Sequence, residues 1–361
     1  MKPIFLNGKF YAGELNGVHR VADRLIRELD AQLTRLAPDE RPEVTLFIPV
    51  RRRWAPMLQT IRIVEEARGH SQLWEQFILP LRAKGGVLVN LCNLAPVLHR
   101  DKILMLHDAQ FLFPDSSYPA RLRWGYRILT PLMARTSRLV LTVSEYSRQM
   151  LDLLGVAPRA NTEVLSNGAD HMHDTPSAPD IVARLGLTPG RYAVHIGSAK
   201  AYKNTAVVFE AFADPALSDI ALVMVGPGKE ALERGGLTPP PSAVFAGRVD
   251  DGELRGLYEQ GLCLLFPSRT EGFGLPPVEA MTLGCPAVVS PAGAIPEACR
   301  DAALYADVDR PEAWIAAVRS YADQPDLREA KVAMGRARAG DFTWVAAGVR
   351  LAGLLWTSAK P

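Results

Sequence analysis

The sequence predicts an α/β protein with two doubly wound, Rossmann-like parallel sheets, and three observations support this prediction. The chain has 361 residues, which is enough for two domains. Short apolar runs alternate with helical patterns, as they do in βαβ units. Hydrophobic residues make up 48% of the chain and charged residues 22%, a globular balance that excludes disordered and fibrous classes.

The apolar runs place the strands in order along the chain. In the first half, strands are expected at 3–6, 44–49, 87–91, 103–106, 139–143 and 163–165. In the second half, they are expected at 192–196, 221–225, 243–246, 263–266 and 286–290. Residues 168–190 have the composition of a linker, and we expect a hinge near 169–180. The domain boundaries that we predict are 1–172, 173–341 and a C-terminal segment, 342–361.

Cysteine use and segment composition predict a cytoplasmic protein. The four cysteines form no CxxC pair and are interpreted as reduced, buried side chains. Residues 1–11 lack the apolar core of a signal peptide, and no run of 18 apolar residues occurs. Residues 1–170 hold 23 Lys+Arg against 17 Asp+Glu, and the remainder hold 18 against 22. The basic half suits an anionic acceptor or membrane surface, although a solvated basic face explains it as well.

The loop after the strand at 192–196 has the features of a phosphate site. It runs from Gly197 through Lys200 and Lys203 to Asn204, and a helical pattern starts at Thr205. Gly197 frees the backbone, Asn204 or Thr205 can cap the helix, and the helix N-terminus with Lys203 concentrates positive potential. This loop suits a diphosphate. Taken alone, a solvated β-α loop with two chance lysines explains it equally well.

The loop after the strand at 263–266 places two carboxylates across a Gly-rich turn. Glu271 and Glu279 lie eight positions apart in the sequence PSRTEGFGLPPVEAM. The free N–H groups of the turn suit an anion, and Glu279 is expected two residues into a helix begun by Pro276 and Pro277. A carboxylate there suits vicinal hydroxyls, as in a ribose. The alternative is that both glutamates are solvated caps.

These segments resemble the GT-B glycosyltransferases of retaining family four, glycosyl transferases group 1. The resemblance extends from Asn7 to Trp344 and is most specific in the pieces EGFGLP and EAM. Residues 245–251 resemble the base-binding loop of the family, and residues 294–297 its proline-glutamate segment. The resemblance implies two Rossmann-like domains facing across a cleft. The first would be the acceptor side, the second would bind the nucleotide sugar, and residues 342–361 would cross back to the first.

The resemblance also implies roles for residues of the second half. Lys203 would contact the donor diphosphate, Glu271 would face the transferred sugar, and Glu279 would bind the ribose. The other donor-binding residues implied are Gly197, Lys200, Arg248 and Val249 beside the base, and the backbone N–H groups of Phe273, Gly274 and Leu275. Many family members carry an arginine directly after the glycine, where this chain has Ser198. That departure leaves Lys203, helped by Lys200, as the main cation.

Motifs of the first half are more diffuse. Gly17 belongs to a loop before a helix that should reach about Leu36, and the family's corresponding loop lies next to donor phosphate and acceptor. His107 and Asp108 follow an apolar strand, and the resemblance brings His107 close to the donor sugar. Residues 143–147 and 166–168 match serine-containing and asparagine-glycine loops of the family. His195 lies inside a strand and is assigned to the core.

The resemblance implies retaining transfer of a hexosyl group from a nucleoside diphosphate sugar to an acceptor hydroxyl of a glycan or lipid-linked glycan. His107, Lys203 and Glu271 are the catalytic candidates. We expect no cofactor, no nucleic-acid partner and no metal, since Asp307 and Asp309 suit a helix cap or a turn better than a metal site. The overall resemblance to bacterial polysaccharide mannosyltransferases favours GDP-mannose. A sugar-nucleotide epimerase and a noncatalytic assembly partner, to which only Ser198 points, are the alternatives.

Two basic segments with tryptophan predict peripheral contact of the first domain with the inner face of the cell membrane. They are residues 51–54, and the set Arg121, Arg123, Trp124 and Arg127. Cations beside aromatics suit an anionic bilayer surface. A solvated basic helix is the alternative interpretation.

Overall fold

The structure, a computed structural model, describes residues 1–113 and 120–360, with only the backbone described at 120–122. Its internal contacts divide the chain into two compact units. The first contains Met1–Leu112, the described residues from 120 to Gly168, and the C-terminal segment from Trp344. The second is built mainly of Ala169–Thr343.

The first unit has a seven-stranded sheet in which every pairing is parallel, in the order β3-β2-β1-β4-β5-β6-β7. Its strands are β1 Ile4–Asn7, β2 Val44–Pro49, β3 Arg62–Glu66, β4 Val87–Asn90, β5 Lys102–Met105, β6 Leu139–Thr142 and β7 Thr162–Val164. Its helices up to β7 are α1 Gly17–Thr34, α2 Leu79–Arg82, which continues a π-helical turn at Trp74–Ile78, α3 Ala120–Arg135 and α4 Glu145–Leu153.

The second unit has a six-stranded parallel sheet in the order β10-β9-β8-β11-β12-β13. Its strands are β8 Tyr192–Ile196, β9 Ala221–Val225, β10 Val244–Gly247, β11 Cys263–Phe266, β12 Ala287–Val289 and β13 Leu304–Tyr305. Its helices are α5 His171–Asp174, α6 Asp180–Arg184, α7 Thr205–Phe212, α8 Lys229–Arg234, α9 Asp251–Gln260, α10 Leu275–Thr282, α11 Ile295–Cys299, α12 Pro311–Asp323 and α13 Pro325–Ala339.

A last helix, α14 at Trp344–Ser358, packs on α1 in the first unit. The two helices approach closely because Gly348 has no side chain, and a Cβ at that position would lie 2.5 Å from the Cβ of Glu28. The backbone N–H of Lys2 also donates to the carbonyl of Ala359 at 2.8 Å. The end of the chain is thereby held against its beginning.

The predicted pair of doubly wound parallel sheets is confirmed. Each of the eleven predicted runs corresponds to a strand, and the ends of that strand lie within one residue of the predicted ends. Two strands were missed, β3 and β13, and both are edge strands. β3 has the sequence RIVEE, which lacks an apolar run, and β13 has only two residues. Part of the stretch that we interpreted as a linker folds into α5 and α6.

In both sheets the strand order reverses beside the first strand, between β1 and β4 and between β8 and β11. Helices leaving the two strands at such a point lie on opposite faces of the sheet, so the loops diverge and leave a crevice at the carboxyl ends. Ligands of open α/β sheets bind there. In the second unit, the loops at this point are those after β8 and after β11.

His195 lies in the core of the second unit, as expected. It is fully buried in β8, where its Nδ1 donates to the carbonyl of Leu265 at 3.0 Å and its Nε2 lies 3.1 Å from the hydroxyl of Thr205. Burial, with a smaller contribution from Lys203, lowers the pKa of His195 to about 4. The side chain is therefore neutral at pH 7, and its two hydrogen bonds join β8, β11 and the start of α7.

Among the residues that the structure describes, no helix is both long enough and apolar enough to cross a bilayer.

We expect acid to destabilise the second unit through His195. A pKa of about 4 in the folded state and about 6.5 unfolded means that the unfolded chain binds more protons between these values. The free energy of unfolding therefore carries no penalty from His195 above about pH 6.5, and it falls by about 2 kcal/mol on acidification to about pH 5. Urea unfolding at several pH values, followed by circular dichroism, measures this loss. His195→Gln should flatten the dependence, and an unchanged slope in that variant would contradict the assignment.

Candidate functional site

Two loops meet at the crevice of the second sheet. The β8–α7 loop covers residues 197–204 and the β11–α10 loop covers residues 267–274. The backbone N–H of Arg269 in the second loop donates to the carbonyl of Tyr202 in the first at 2.7 Å. Residues separated by more than sixty positions in the sequence are thereby fixed side by side.

Lys203 and Glu271 form an ion pair across these loops. The Lys203 ammonium lies 2.7 Å from Oε1 of Glu271, and the two side chains are 21% and 14% exposed. The ammonium also lies 5.3 Å from the ring centre of Tyr202 and 5.2 Å from that of Phe266, within the range of cation–π attraction. The structure thus brings together two of the three residues predicted to be catalytic.

Arg269 holds the β8–α7 loop from the other side. Its guanidinium donates to Oδ1 of Asn204 at 3.2 Å and to Asp309 at 2.5 Å. Asn204 has a left-handed backbone, with φ of 51°, and its amide nitrogen donates to the carbonyl of Val308 at 2.7 Å. The side chain of Asn204 is therefore used across loops, and the helix cap expected from it is not formed. Asp309 belongs to a turn, as predicted, since its N–H donates to Asp307.

Ser198, where many family members have an arginine, shapes the loop from within. Its hydroxyl oxygen accepts from the N–H of Lys200 at 3.2 Å, and its own N–H donates to the hydroxyl of Thr205 at 3.2 Å. Thr205 therefore does not cap α7 either. Lys200 is exposed, and Gly197 is pinned by donation of its N–H to the carbonyl of Val225 at 2.9 Å. The loop thus directs Lys203 inward and Lys200 towards solvent.

The loop after β12 positions Glu271. The carbonyl of Glu271 accepts from the N–H of Ala294 at 3.0 Å, and Gly293 has φ of 64°. A Cβ on Gly293 would lie 2.5 Å from the nitrogen of Glu271 and 2.8 Å from its carbonyl oxygen. Only glycine fits this position without displacing Glu271.

Helix α10 begins at Leu275, after Gly274 in a left-handed conformation with φ of 100°. Glu279 is consequently its fifth residue, and the expectation that Pro276 and Pro277 begin the helix was wrong by one position. The two prolines carry no N–H, so Leu275 supplies the one donor of the first three helical positions. Phe273 is buried and packs edge-on against Phe342 at 5.2 Å, which leaves its backbone as the part able to meet a ligand.

Glu279 is buried beside a histidine that the sequence did not single out. Its Oε1 lies 3.3 Å from Nε2 of His171, whose side chain is fully buried. The charge of Glu279 also contributes to the raised pKa of Tyr258, after the larger effect of burial. His171 is therefore the side chain that contacts the Glu279 carboxylate. His171 lies in the stretch interpreted as a linker, where the sequence carried no signal for this contact.

Arg248 and Val249 follow β10, at the carboxyl edge shared by the loops already described. Arg248 is exposed and Val249 half-buried. Asp250 then caps α9, with reciprocal hydrogen bonds between Asp250 and Glu253. The base-binding role predicted for Arg248 and Val249 stays a prediction.

In the first unit, His107 follows β5 and is buried. Its Nε2 donates to the carbonyl of Leu91 at 2.9 Å, and its backbone N–H donates to Asn93 at 2.8 Å. Burial lowers the pKa of His107 to about 4, so it is a neutral hydrogen-bonding group near pH 7. Gly17 is the first residue of α1, whose start is capped by Asn16. The predicted roles of His107 and Gly17 in donor binding stay predictions.

The second unit, which holds the two loops, matches a known protein family. Residues 180–338 match the family described as glycosyl transferases group 1. The O-antigen chain mannosyltransferase B of Escherichia coli is 30% identical over 256 residues, which are 67% of this chain and 66% of that protein. The chain therefore spans just under two thirds of that relative's length.

Two solved structures cover nearly the whole chain. Sucrose-phosphate synthase from Thermosynechococcus elongatus aligns with a TM-score of 0.73 at 16% identity, over 99% of both chains. HepE from Anabaena, determined in complex with UDP and glucose, aligns with a TM-score of 0.72 at 17% identity, over 99% of this chain and 100% of HepE. The fold is GT-B, and the chain belongs to the glycosyl transferases group 1 family through its second unit.

Gly293→Ala tests the support of Glu271. The left-handed φ alone should cost about 1 kcal/mol, and the collision with the Glu271 backbone should add to that cost. Gly186→Ala is the matched control, because Gly186 has φ of 65° and no atom within 4 Å of an added Cβ. Urea unfolding of both variants gives the comparison. Equal losses of stability would show that Gly293 does not press on Glu271.

Proposed function

We propose that the protein transfers a hexosyl group from a nucleoside diphosphate sugar to an acceptor hydroxyl, with retention of the anomeric configuration. The observation that carries this proposal is the Lys203–Glu271 pair, 2.7 Å apart at the crevice of the second sheet. The family match covers both residues. An ammonium suits the diphosphate, and a carboxylate suits the hydroxyls of the sugar.

The pair couples recognition of the two parts of the donor. A diphosphate that approaches Lys203 competes with Glu271 for the ammonium, since both are anionic acceptors. As the diphosphate takes over the ammonium, the carboxylate becomes available to accept hydrogen bonds from sugar hydroxyls. A nucleoside diphosphate without its sugar leaves this carboxylate without a new donor, which favours the complete nucleotide sugar.

The proposed chemistry is electrostatic. As the bond between sugar and diphosphate breaks, negative charge grows on the departing oxygen, and Lys203 with the N–H groups of residues 273–275 stabilises it. The departing oxygen takes the proton of the acceptor hydroxyl, whose oxygen forms the new bond on the same face of the sugar. His107, being neutral, would act as a hydrogen-bond partner of the sugar and not as a cation. Glu279, steadied by His171, would bind the ribose.

The donor and acceptor are proposed from the relatives. The Escherichia coli relative is a mannosyltransferase of an O-antigen chain, which supports a mannosyl donor, GDP-mannose, and a glycan or lipid-linked glycan acceptor. HepE was determined with UDP and glucose, so UDP-glucose is the principal competitor.

A panel of nucleotide sugars tests the function. The correct donor at about 100 times its dissociation constant should stabilise the protein by about 2.7 kcal/mol, which thermal unfolding detects. Incubation of that donor with a glycan acceptor in excess EDTA should then give transfer, because Lys203 and backbone donors are proposed to meet the diphosphate charge. Epimerised donor without transfer would indicate an epimerase, and no turnover of any donor a noncatalytic protein. Turnover that needs Mg²⁺ or Mn²⁺ would overturn the metal-independent site.

Substitution of Lys203 and Glu279 should separate transition-state from ground-state interactions. Lys203→Ala should lower kcat by roughly 10² to 10³, the scale of one preorganised electrostatic donor. Glu279→Ala should mainly raise KM for the donor, because the ribose is remote from the breaking bond. Steady-state kinetics at saturating acceptor, with calorimetry of the nucleoside diphosphate, measures both.

Two further variants sharpen this test. Lys203→Ala leaves the partly buried Glu271 carboxylate without its cation, and this carboxylate would repel the diphosphate. The double variant Lys203→Ala/Glu271→Gln removes that repulsion, so it measures the loss of the cation alone. Arg191→Ala removes an exposed cation at the opposite end of β8 and should change kcat little. A wild-type kcat for Lys203→Ala together with unchanged nucleotide affinity for Glu279→Ala would refute this donor placement.

A further inference from the structure

The first unit carries a surface of large apolar side chains that are exposed to solvent. They form two rows of residues four positions apart, one on the helical segment 74–82 with its preceding residue and one on α3. We define the apolar surface by Leu73, Phe77, Leu81, Trp124, Ile128 and Leu132. Each is between 43% and 72% exposed. Spacing of four puts the members of a row on one side of a helix.

The β4–β5 loop joins the two rows. Gln76 donates to the carbonyl of Ala95 at 3.1 Å and accepts from the N–H of Val97 at 3.0 Å, which ties the first row to the loop. On the other side, Thr136 donates to the carbonyl of Val97 at 2.8 Å, just past the end of α3. Leu98, between these contacts, is 85% exposed. The apolar side chains therefore belong to one continuous part of the unit.

The topology supports this placement. The chain moves across the sheet in the same direction from β3 to β4 and from β5 to β6. Crossover connections between parallel strands are right-handed, so connections running in the same direction lie on the same face of a sheet. The segment 74–82 and α3 are those two connections. The helices α1 and α14 pack together elsewhere, because β1 to β2 runs in the opposite direction.

The charges that accompany the apolar surface are positive. Helix α3 contains Arg121, Arg123, Arg127 and Arg135 and no acidic residue. Arg127 and Arg135 are exposed, and the side chain of Arg121 lies outside the described residues. From residue 67 to the end of the β4–β5 loop at residue 101 the carboxylates are Glu75, which is buried and paired with Lys9, and Asp101, which is paired with Lys2 and Arg138. An anionic, apolar partner complements such a surface, and a protein face of mixed charge does not.

The other segment predicted to contact membranes differs. Trp54 packs against Phe10 and Tyr11, and its indole N–H donates to the carbonyl of Gly13 at 3.1 Å. Arg52 and Arg53 are paired with Glu65 and Glu14. The ring of Trp54 and the cations of Arg52 and Arg53 are thus engaged within the protein.

We propose that the apolar surface docks the first unit on an anionic lipid bilayer, with the apolar side chains in the headgroup boundary and the arginines of α3 on the lipid phosphates. This proposal deepens the proposed function by naming where the protein meets the membrane of a lipid-linked acceptor. It rests on the first unit alone, so its failure and that of the donor site are distinguishable.

The test is cosedimentation of the full chain with vesicles of phosphatidylcholine, with and without about one third phosphatidylglycerol, at about 20 mM and about 300 mM salt. We expect binding to the anionic vesicles at low salt, weakened at high salt. Phe77→Ser/Leu81→Ser and Trp124→Ser/Ile128→Ser should each lower partitioning at least about tenfold. Arg127→Gln/Arg135→Gln should lower it about thirtyfold on anionic vesicles, since each cation contributes about fivefold.

The matched control is Met57→Ser/Val349→Ser, which removes exposed apolar side chains from a β2–β3 loop and from α14. It should bind like the wild type, and circular dichroism checks that every variant is folded. Absence of binding at low salt, or equal losses in control and surface variants, would overturn the proposal. So would a dimer in sedimentation velocity that the same surface variants abolish, since the surface would then be a contact between copies. Calorimetry with the nucleoside diphosphate should be unchanged by the surface variants.

Discussion

The reversal of strand order between β8 and β11 is the constraint on which the candidate site depends. It places the loop after residue 196 beside the loop after residue 266, and the contacts between these two loops follow from that adjacency. The Lys203–Glu271 pair joins the two loops, Arg269 adds a backbone and a side-chain link, and Gly293 fills the space behind Glu271. Lys203 and Glu271 could not be close in a sheet that continued in one direction.

The site is built so that its polar groups are held by one another before a ligand arrives. The side-chain amide of Asn204 donates to Val308 and accepts from Arg269, both in other loops. Ser198 and Thr205 form hydrogen bonds within the β8–α7 loop. Two histidines, His107 and His195, are kept neutral by burial and serve as fixed hydrogen-bonding groups. Charge is concentrated in side chains that face the crevice, and the supporting contacts are mostly uncharged.

The sequence was sufficient for the fold and insufficient for the support of the site. Strands such as β8 and β11 are buried on both faces, so their apolar runs identify them, whereas the edge strand β3 reads RIVEE because most of its side chains are exposed to solvent. Lys203 and Glu271 could be selected because they lie in motifs, but their pairing is a tertiary contact. His171 and Gly293 carried no local pattern, since what defines them is a partner more than twenty residues away. Asn204 satisfied the rule for a helix cap and was diverted by Arg269 and Val308.

The two prolines at the start of α10 have a consequence for the cost of binding. Each fixes its own φ, and Pro276 also restricts Leu275, so the segment from Leu275 to Pro277 has few conformations open to it even in the unfolded chain. A ligand that meets this segment loses little chain entropy by ordering it, and less of its contact energy is consumed in doing so. The prolines that remove two N–H donors therefore lower the entropy cost of binding a ligand to the N–H of Leu275.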